Sequence, residues 1–96
     1  MLVQVEMTVE VPHGADSDQF ERLKSREKEL AQALQSQGTW RHLWRHVGLY
    51  ANTSIFDVES LDQLHSILIS LPLYPYLKLT ITPLCRHPSS IYEDDR

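Results

Sequence analysis

The chain opens on a strict alternation. Val3, Val5, Met7 and Val9 fall on one face of residues 2–9, with Gln4, Glu6 and Thr8 on the other. That period of two is the signature of a half-buried strand. Pro12, His13 and Gly14 break it. Asp16, Ser17 and Asp18 then offer N-cap side chains, and Asp18 with Glu21 has capping-box spacing. From about 18 to 37 the chain is rich in Glu, Lys, Leu, Ala and Gln and holds neither Gly nor Pro, which predicts a helix that Gly38 ends. Residues 39–47, TWRHLWRHV, have helical spacing at Trp40, Leu43, Trp44 and Val47, yet they also alternate Trp and His with Arg and Leu. The segment is short and lies between Gly38 and Gly48, so a strand is preferred. Residues 49–58 predict its hairpin partner across a tight turn at Gly48. Ser60 with Gln63 predicts the cap of a second helix, whose stripe is Leu61, Leu64, Leu68 and Leu71 and whose stop is Pro72 and Pro75. Residues 76–82, YLKLTIT, alternate again as a fourth strand. The order βαββαβ predicts a ferredoxin-like α+β fold, an antiparallel four-stranded sheet with both helices on one face. Residues 1–83 make up that domain, and 84–96 form a polar tail with no element pattern.

One position breaks the first helix. Its inward stripe reads Phe20, Leu23, Glu27, Leu30, Ala31, Leu34, in steps of three and four. Glu27 stands where a leucine belongs. A carboxylate facing an apolar interior loses hydration and its pKa rises, which suits a general base. Two other readings compete: an ion pair with Lys24 or a strand arginine, or a rotated stripe that leaves Glu27 in solvent. The hairpin supplies partners. Tyr50 and Asn52 share a strand face with Ser54 and Phe56, while Leu49, Ala51, Thr53 and Ile55 take the other. Two donors aimed at one pocket suit an oxyanion; the alternative is a solvent-facing polar patch. With a two-residue loop at Gly48, Arg45 joins that face and can clamp a carboxylate, and a different loop length flips that assignment.

Composition and charge narrow the field. Ninety-six residues, 42% hydrophobic and 23% charged, make one globular domain with a small core. A formal charge of −4 argues against nucleic acid, and an anionic substrate would need a local cation. The single cysteine, Cys85, allows no disulfide within the chain and reads as a small buried hydrophobe. On a strand His42 and His46 stand ~13 Å apart, too far for one ion, so no metal site is expected. His13, His65 and His87 read as surface or hydrogen-bonded residues. Trp40 and Trp44 read as packing residues that are also able to wall a flat unsaturated ring. No apolar run approaches the ~18 residues of a membrane span, and the N-terminus lacks the blocks of a signal peptide. A cytoplasmic protein is the expectation.

Several stretches are more specific than any of these patterns: MLVQVEMTV at the start, LKSREKELAQALQSQGTWRHLWRHVGLYANTSIFDV at 23–58, LPLYPYL at 71–77 and LCRHPSSIYEDDR at 84–96. Over essentially the whole chain they closely resemble the muconolactone delta-isomerase family, enzymes of the β-ketoadipate route of aromatic catabolism. The resemblance implies a ferredoxin-like barrel formed on oligomerisation, cofactor-free isomerisation of a small lactone, and a large homo-oligomer described as a decamer. It maps a catalytic carboxylate onto Glu27 and supporting polar residues onto Tyr50 and Asn52. Arg45, Lys24 and Trp40 are added here as substrate-binding candidates. The implied reaction moves a proton from the γ to the α carbon of the lactone through a dienolate. Three alternatives stay open: a dehalogenase of chlorinated muconolactones in the same family, a non-catalytic ferredoxin-like module, and a cofactor-dependent oxygenase of similar architecture. The tail at 84–96 reads as an arm packing on a neighbouring subunit, with Ile91 and Tyr92 as anchors.

Overall fold

The computed structural model describes residues 1–92, so the acidic run at 93–95 lies outside the described residues. The elements follow the expected order: β1 (Leu2–Val9), α1 (Ser17–Ser36), β2 (Trp40–Arg45), β3 (Ala51–Asp57), α2 (Leu61–Ser70), a single 3₁₀ turn (Tyr74–Tyr76) and β4 (Leu77–Pro83). The strands form one antiparallel sheet in the order β2-β3-β1-β4, which is the ferredoxin-like arrangement. β2, β3 and β4 are each offset by one or a few residues from their expected limits, since fraying and turn geometry set the last pairs.

The core lies between one sheet face and both helices. Val3, Val5 and Met7 of β1 pack with Phe56 of β3, Trp40 of β2, Ala31 of α1 and Leu64 and Leu68 of α2. Leu30, Leu34 and Ile67 pack against this cluster. The leucine stripe of α2 is shorter than expected: Leu64, Leu68 and Leu71 are buried, but Leu61, in the first turn, is exposed. It sits next to the cap, where the helix has not yet closed onto the sheet. The Ser60 Oγ accepts from Gln63 N–H at 3.1 Å, as expected of that cap.

Both ends of α1 are fixed by local hydrogen bonds. Its N-cap is Asp16, whose carboxylate accepts from the N–H groups of Asp18 and Gln19. The Asp18–Glu21 pair therefore does not form the cap; three cap-competent residues stand in a row, and the first takes the position. At the other end Gly38 adopts φ +81°. Gly38 N–H bonds Gln35 C=O at 3.0 Å and Thr39 N–H bonds Leu34 C=O at 3.1 Å, a Schellman stop. The stop turns the chain directly into β2 at Trp40.

β2 contains a bulge that single-period reasoning misses. Trp40 faces Phe56 and His42 faces Ile55, so Arg41 is the extra residue. The expected alternation of Trp and His against Arg and Leu therefore fails after Trp40. Leu43 faces Ser54 and Arg45 faces Asn52, which puts Trp40, Leu43 and Arg45 on the helix side. His42 and Trp44 turn outward, where their rings stack 6.0 Å apart; Trp44 is 61% exposed, not core. The Gly48 turn, with φ +77° and Leu49 N–H bonding His46 C=O, is longer than two residues. It adds an even number of positions, so Arg45 still shares a face with Asn52.

Replacing Gly38 by Ala tests the helix stop. No atom lies within 4 Å of an added Cβ, so the cost is purely that of a left-handed residue, about 1–2 kcal/mol. Urea unfolding should show a lower midpoint with an unchanged slope; an unchanged midpoint would contradict the role given to this glycine.

Candidate active site

A cavity of about 290 Å³ opens between α1 and the sheet, against the α2–β4 connection. α1 contributes Lys24, Glu27, Lys28, Ala31 and Gln35, successive positions of one helix face. The β2–β3 hairpin contributes Trp40, Leu43, Tyr50 and Asn52, and the connection contributes Leu73. Its volume is at the small end of ligand sites.

Glu27 lies in the apolar stripe as the periodicity implied. It is half-buried, between Leu23 and Leu30 on the same face. Its Oε1 accepts from Leu73 N–H at 3.1 Å. Burial pushes its pKa above the usual carboxylate value, and the Leu73 hydrogen bond opposes part of that rise. Among the described residues no ion pair reaches Glu27; Lys24 Nζ lies 3.4 Å from Glu21 Oε1 instead. The ion-pair reading and the rotated-stripe reading are both set aside by this geometry.

Five of the six residues singled out in the sequence line this one cavity: Glu27, Tyr50, Asn52, Lys24 and Trp40. Arg45 stands at its rim. Its guanidinium carbon lies 5.4 Å from the Tyr50 ring centroid, and its Nη1 donates to Leu49 C=O at 3.3 Å. Lys24 Nζ lies 6.0 Å from the same ring. Tyr50 is thus approached by two cations, a weak attraction at an exposed position that gathers positive charge beside the carboxylate. Lys28 adds a third cation to the lining. Local cations of this kind are what an anionic ligand would require on an acidic chain. Trp40, at 2% exposure, packs against Phe56 with centroids 4.8 Å apart and the rings tilted by 30°. Its Nε1 is buried with no partner among the described residues, so packing alone fixes this wall.

Sequence reasoning missed the Leu73 amide, because backbone donors carry no side-chain signature. The only hint was the pair of prolines in LPLYPYL, which stiffen the connection. Ser54 was placed on the Tyr50–Asn52 face but given no task; it is fully buried and donates to Asn52 Oδ1 at 2.8 Å.

A second cavity, about 340 Å³, lies beside the outer sheet face and the tail, lined by Leu2, Ile55, Arg41, His42, Cys85, Arg86 and neighbours. Its described lining holds no carboxylate; His42 and His87 are its titratable groups beside Arg41, Cys85 and Arg86. Cys85 is exposed rather than buried as expected, because the tail runs over the surface. Ile91 and Tyr92 are also exposed, at 81% and 64%. Arg86 ties the tail to itself, donating to the carbonyls of Ser90 and Tyr92. No group of three or more His, Cys, Asp and Glu able to hold a metal occurs among the described residues. No described helix is long and apolar enough to cross a membrane.

Residues 1–90 match the family model described as muconolactone delta-isomerase. The muconolactone Delta-isomerase of Pseudomonas aeruginosa is 57% identical over 96 residues, covering all of both chains. That of Rhodococcus opacus is 46% identical over 90 residues, 94% of this chain and 97% of its own. A crystal structure of muconolactone isomerase superposes with a TM-score of 0.94 at 56% identity, covering both chains fully.

The raised pKa of Glu27 has a stability signature. Below the unfolded-state pKa the protonated group is accommodated without penalty, and that margin is lost as pH rises through the folded-state pKa. Glu27→Gln should therefore melt at a higher temperature than the parent at pH 7, with the gap closing towards pH 4. A variant no more stable than the parent at pH 7 would contradict the burial penalty.

Proposed function

This chain belongs to the muconolactone delta-isomerase family, and from that premise we propose how its own residues carry the reaction. The substrate is a five-membered unsaturated lactone with an acetate arm. The Glu27 carboxylate takes the proton from the ring carbon γ to the lactone carbonyl. The electron pair moves through the ring double bond onto the carbonyl oxygen, giving a dienolate. Protonated Glu27 then returns the proton to the α carbon. The double bond has moved, the proton count is unchanged and nothing has been oxidised, so the chemistry calls for neither a hydride carrier nor a metal. The observation that carries this reading is a half-buried carboxylate on the wall of a cavity, with one oxygen held by Leu73 N–H and the other left to work.

The remaining residues divide the other tasks. Tyr50 O–H and the Asn52 amide donate to the dienolate oxygen, where preorganised donors are worth most. Lys24, with Arg45 at the rim, holds the carboxylate of the acetate arm. Trp40 and Leu43 wall the flat ring and keep water from the dienolate. Glu27's raised pKa brings its basicity closer to that of a working general base.

The oligomer belongs to the same proposal. Val47, at the hairpin tip, is 98% exposed, and Trp44, Leu49, Ile91 and Tyr92 are also open. Apolar surface of this kind on a small domain supports association of cytoplasmic subunits, with the arm 84–96 reaching a neighbour. Light scattering should give a mass near ten times the 11.2 kDa chain; a monomeric mass would contradict it.

The kinetic test uses purified protein and muconolactone, following loss of substrate and appearance of the enol-lactone. Glu27→Gln keeps the shape and the Leu73 bond but cannot take the proton, so kcat should fall by at least ~10²–10⁴-fold. Tyr50→Phe should lose less, up to ~10²-fold, with little change in KM. Lys24→Met should instead raise KM by roughly tenfold, the scale of one charge-assisted hydrogen bond. An inactive parent protein, or an active Glu27→Gln, would overturn the assignment.

A further inference from the structure

Ser54 is a polar residue in the wrong place. It sits mid-strand on the core face of β3, opposite Val5 of β1 on one side and Leu43 of β2 on the other. Phe56 follows it on the same face, and Ser54 is 0% exposed. A hydroxyl at such a position loses its water and is retained without penalty only if it is hydrogen-bonded. Valine or alanine would make no such demand at that position.

The hydroxyl's partner is not backbone. Ser54 Oγ donates to Asn52 Oδ1 at 2.8 Å, two residues back on the same strand face. Asn52 lines the cavity that holds Glu27. An asparagine amide has opposite ends: an oxygen that only accepts and a nitrogen that only donates. The two ends have nearly the same shape, so packing alone does not choose between them. The Ser54 hydroxyl biases that choice: its oxygen could accept from Nδ2, but among the described residues its hydrogen has no acceptor other than Asn52 Oδ1. With Oδ1 engaged by Ser54, Nδ2 is the end left for a ligand. Turned the other way, Asn52 would aim a partial negative charge at a developing oxyanion, and the Ser54 hydrogen would lose the acceptor it has in this structure.

We propose that Ser54 is a positioning residue for the isomerisation: its buried hydroxyl locks the Asn52 side chain with the amide nitrogen free to donate to the dienolate oxygen. Ser54 touches neither the substrate nor Glu27, and acts only through Asn52. The inference rests on the oxyanion role proposed for Asn52. The strand supplies the alignment, because residues two apart lie on one face within reach of each other.

A double-mutant cycle tests this with the full chain and muconolactone as substrate. Circular dichroism and melting temperature report folding of each variant. Asn52→Ala should lower kcat by ~10²-fold, the usual loss of one oxyanion donor. Ser54→Ala should lower kcat by roughly tenfold, with KM within about twofold and the acid limb of the pH profile unmoved. The decisive number is the effect of Ser54→Ala in the Asn52→Ala background, which should be nil. Ser54→Thr keeps the hydroxyl and should recover most of the rate. Equal losses in both backgrounds would make Ser54 merely structural and overturn the proposal, as would an undiminished kcat in Ser54→Ala beside a slowed Asn52→Ala. A full rate in Asn52→Ala would instead remove Asn52 from the oxyanion role, and Ser54's task with it.

Discussion

The structure turns on one unfavourable placement. α1 buries a stripe of apolar residues against the sheet, and Glu27 occupies a position in it. The helix cannot rotate to expose Glu27 without also exposing Phe20 and Ala31, which are buried on the same face. Burial of those side chains, at ~25 cal/mol per Å² of apolar surface, therefore holds a carboxylate where water is scarce. The carboxylate is left basic as a result, and one backbone N–H, from Leu73, limits how far its charge is destabilised. A salt bridge in that position would have lowered its basicity. Lys24 instead leans towards Glu21 and Tyr50, which leaves Glu27 without an ion pair among the described residues.

The second constraint is the register of the hairpin. Arg41 is inserted into β2, and from there on the faces are exchanged. Without the bulge, His42 and Trp44 would point at the helices, and Arg45 would point away. With it, Leu43 joins the cavity wall and Arg45 comes to its rim beside Tyr50. Bulges near functional sites often re-aim a side chain in this way. Asn52 and Ser54, on the paired strand, then sit inside the same face, one at the cavity and one in the core. The residues proposed as base, donors and cations thus come from three separate segments, each fixed by ordinary packing.

Much of this was legible in the chain. Periods of two and 3.6 gave the order of elements, and the stripe of α1 exposed Glu27 as the residue out of character. The common face of Tyr50, Asn52 and Ser54 followed from alternation alone. What was not legible has specific causes. A bulge adds a residue without any Gly or Pro to mark it, so the faces of β2 after Trp40 were unreadable. Asp16, Ser17 and Asp18 are nearly equivalent caps, and only tertiary placement picks the first. Leu61 matches the heptad-like stripe but lies before the helix meets the sheet. Cys85 follows an apolar strand yet sits where the chain has left the core. The Leu73 amide, 46 residues from Glu27, is a contact that only the fold creates. The full-length likeness to muconolactone delta-isomerases supplied the substrate, which no residue pattern specifies.

The most direct measurement is the titration of the Glu27 side-chain carboxyl by carbon-13 NMR in the intact, ligand-free protein, assigned by comparison with Glu27→Gln. Glu27 is expected to titrate above the ordinary glutamate value. A midpoint at or below that value would mean that the helix stripe does not desolvate this carboxylate, and the physical basis for its proposed role as the base would fail.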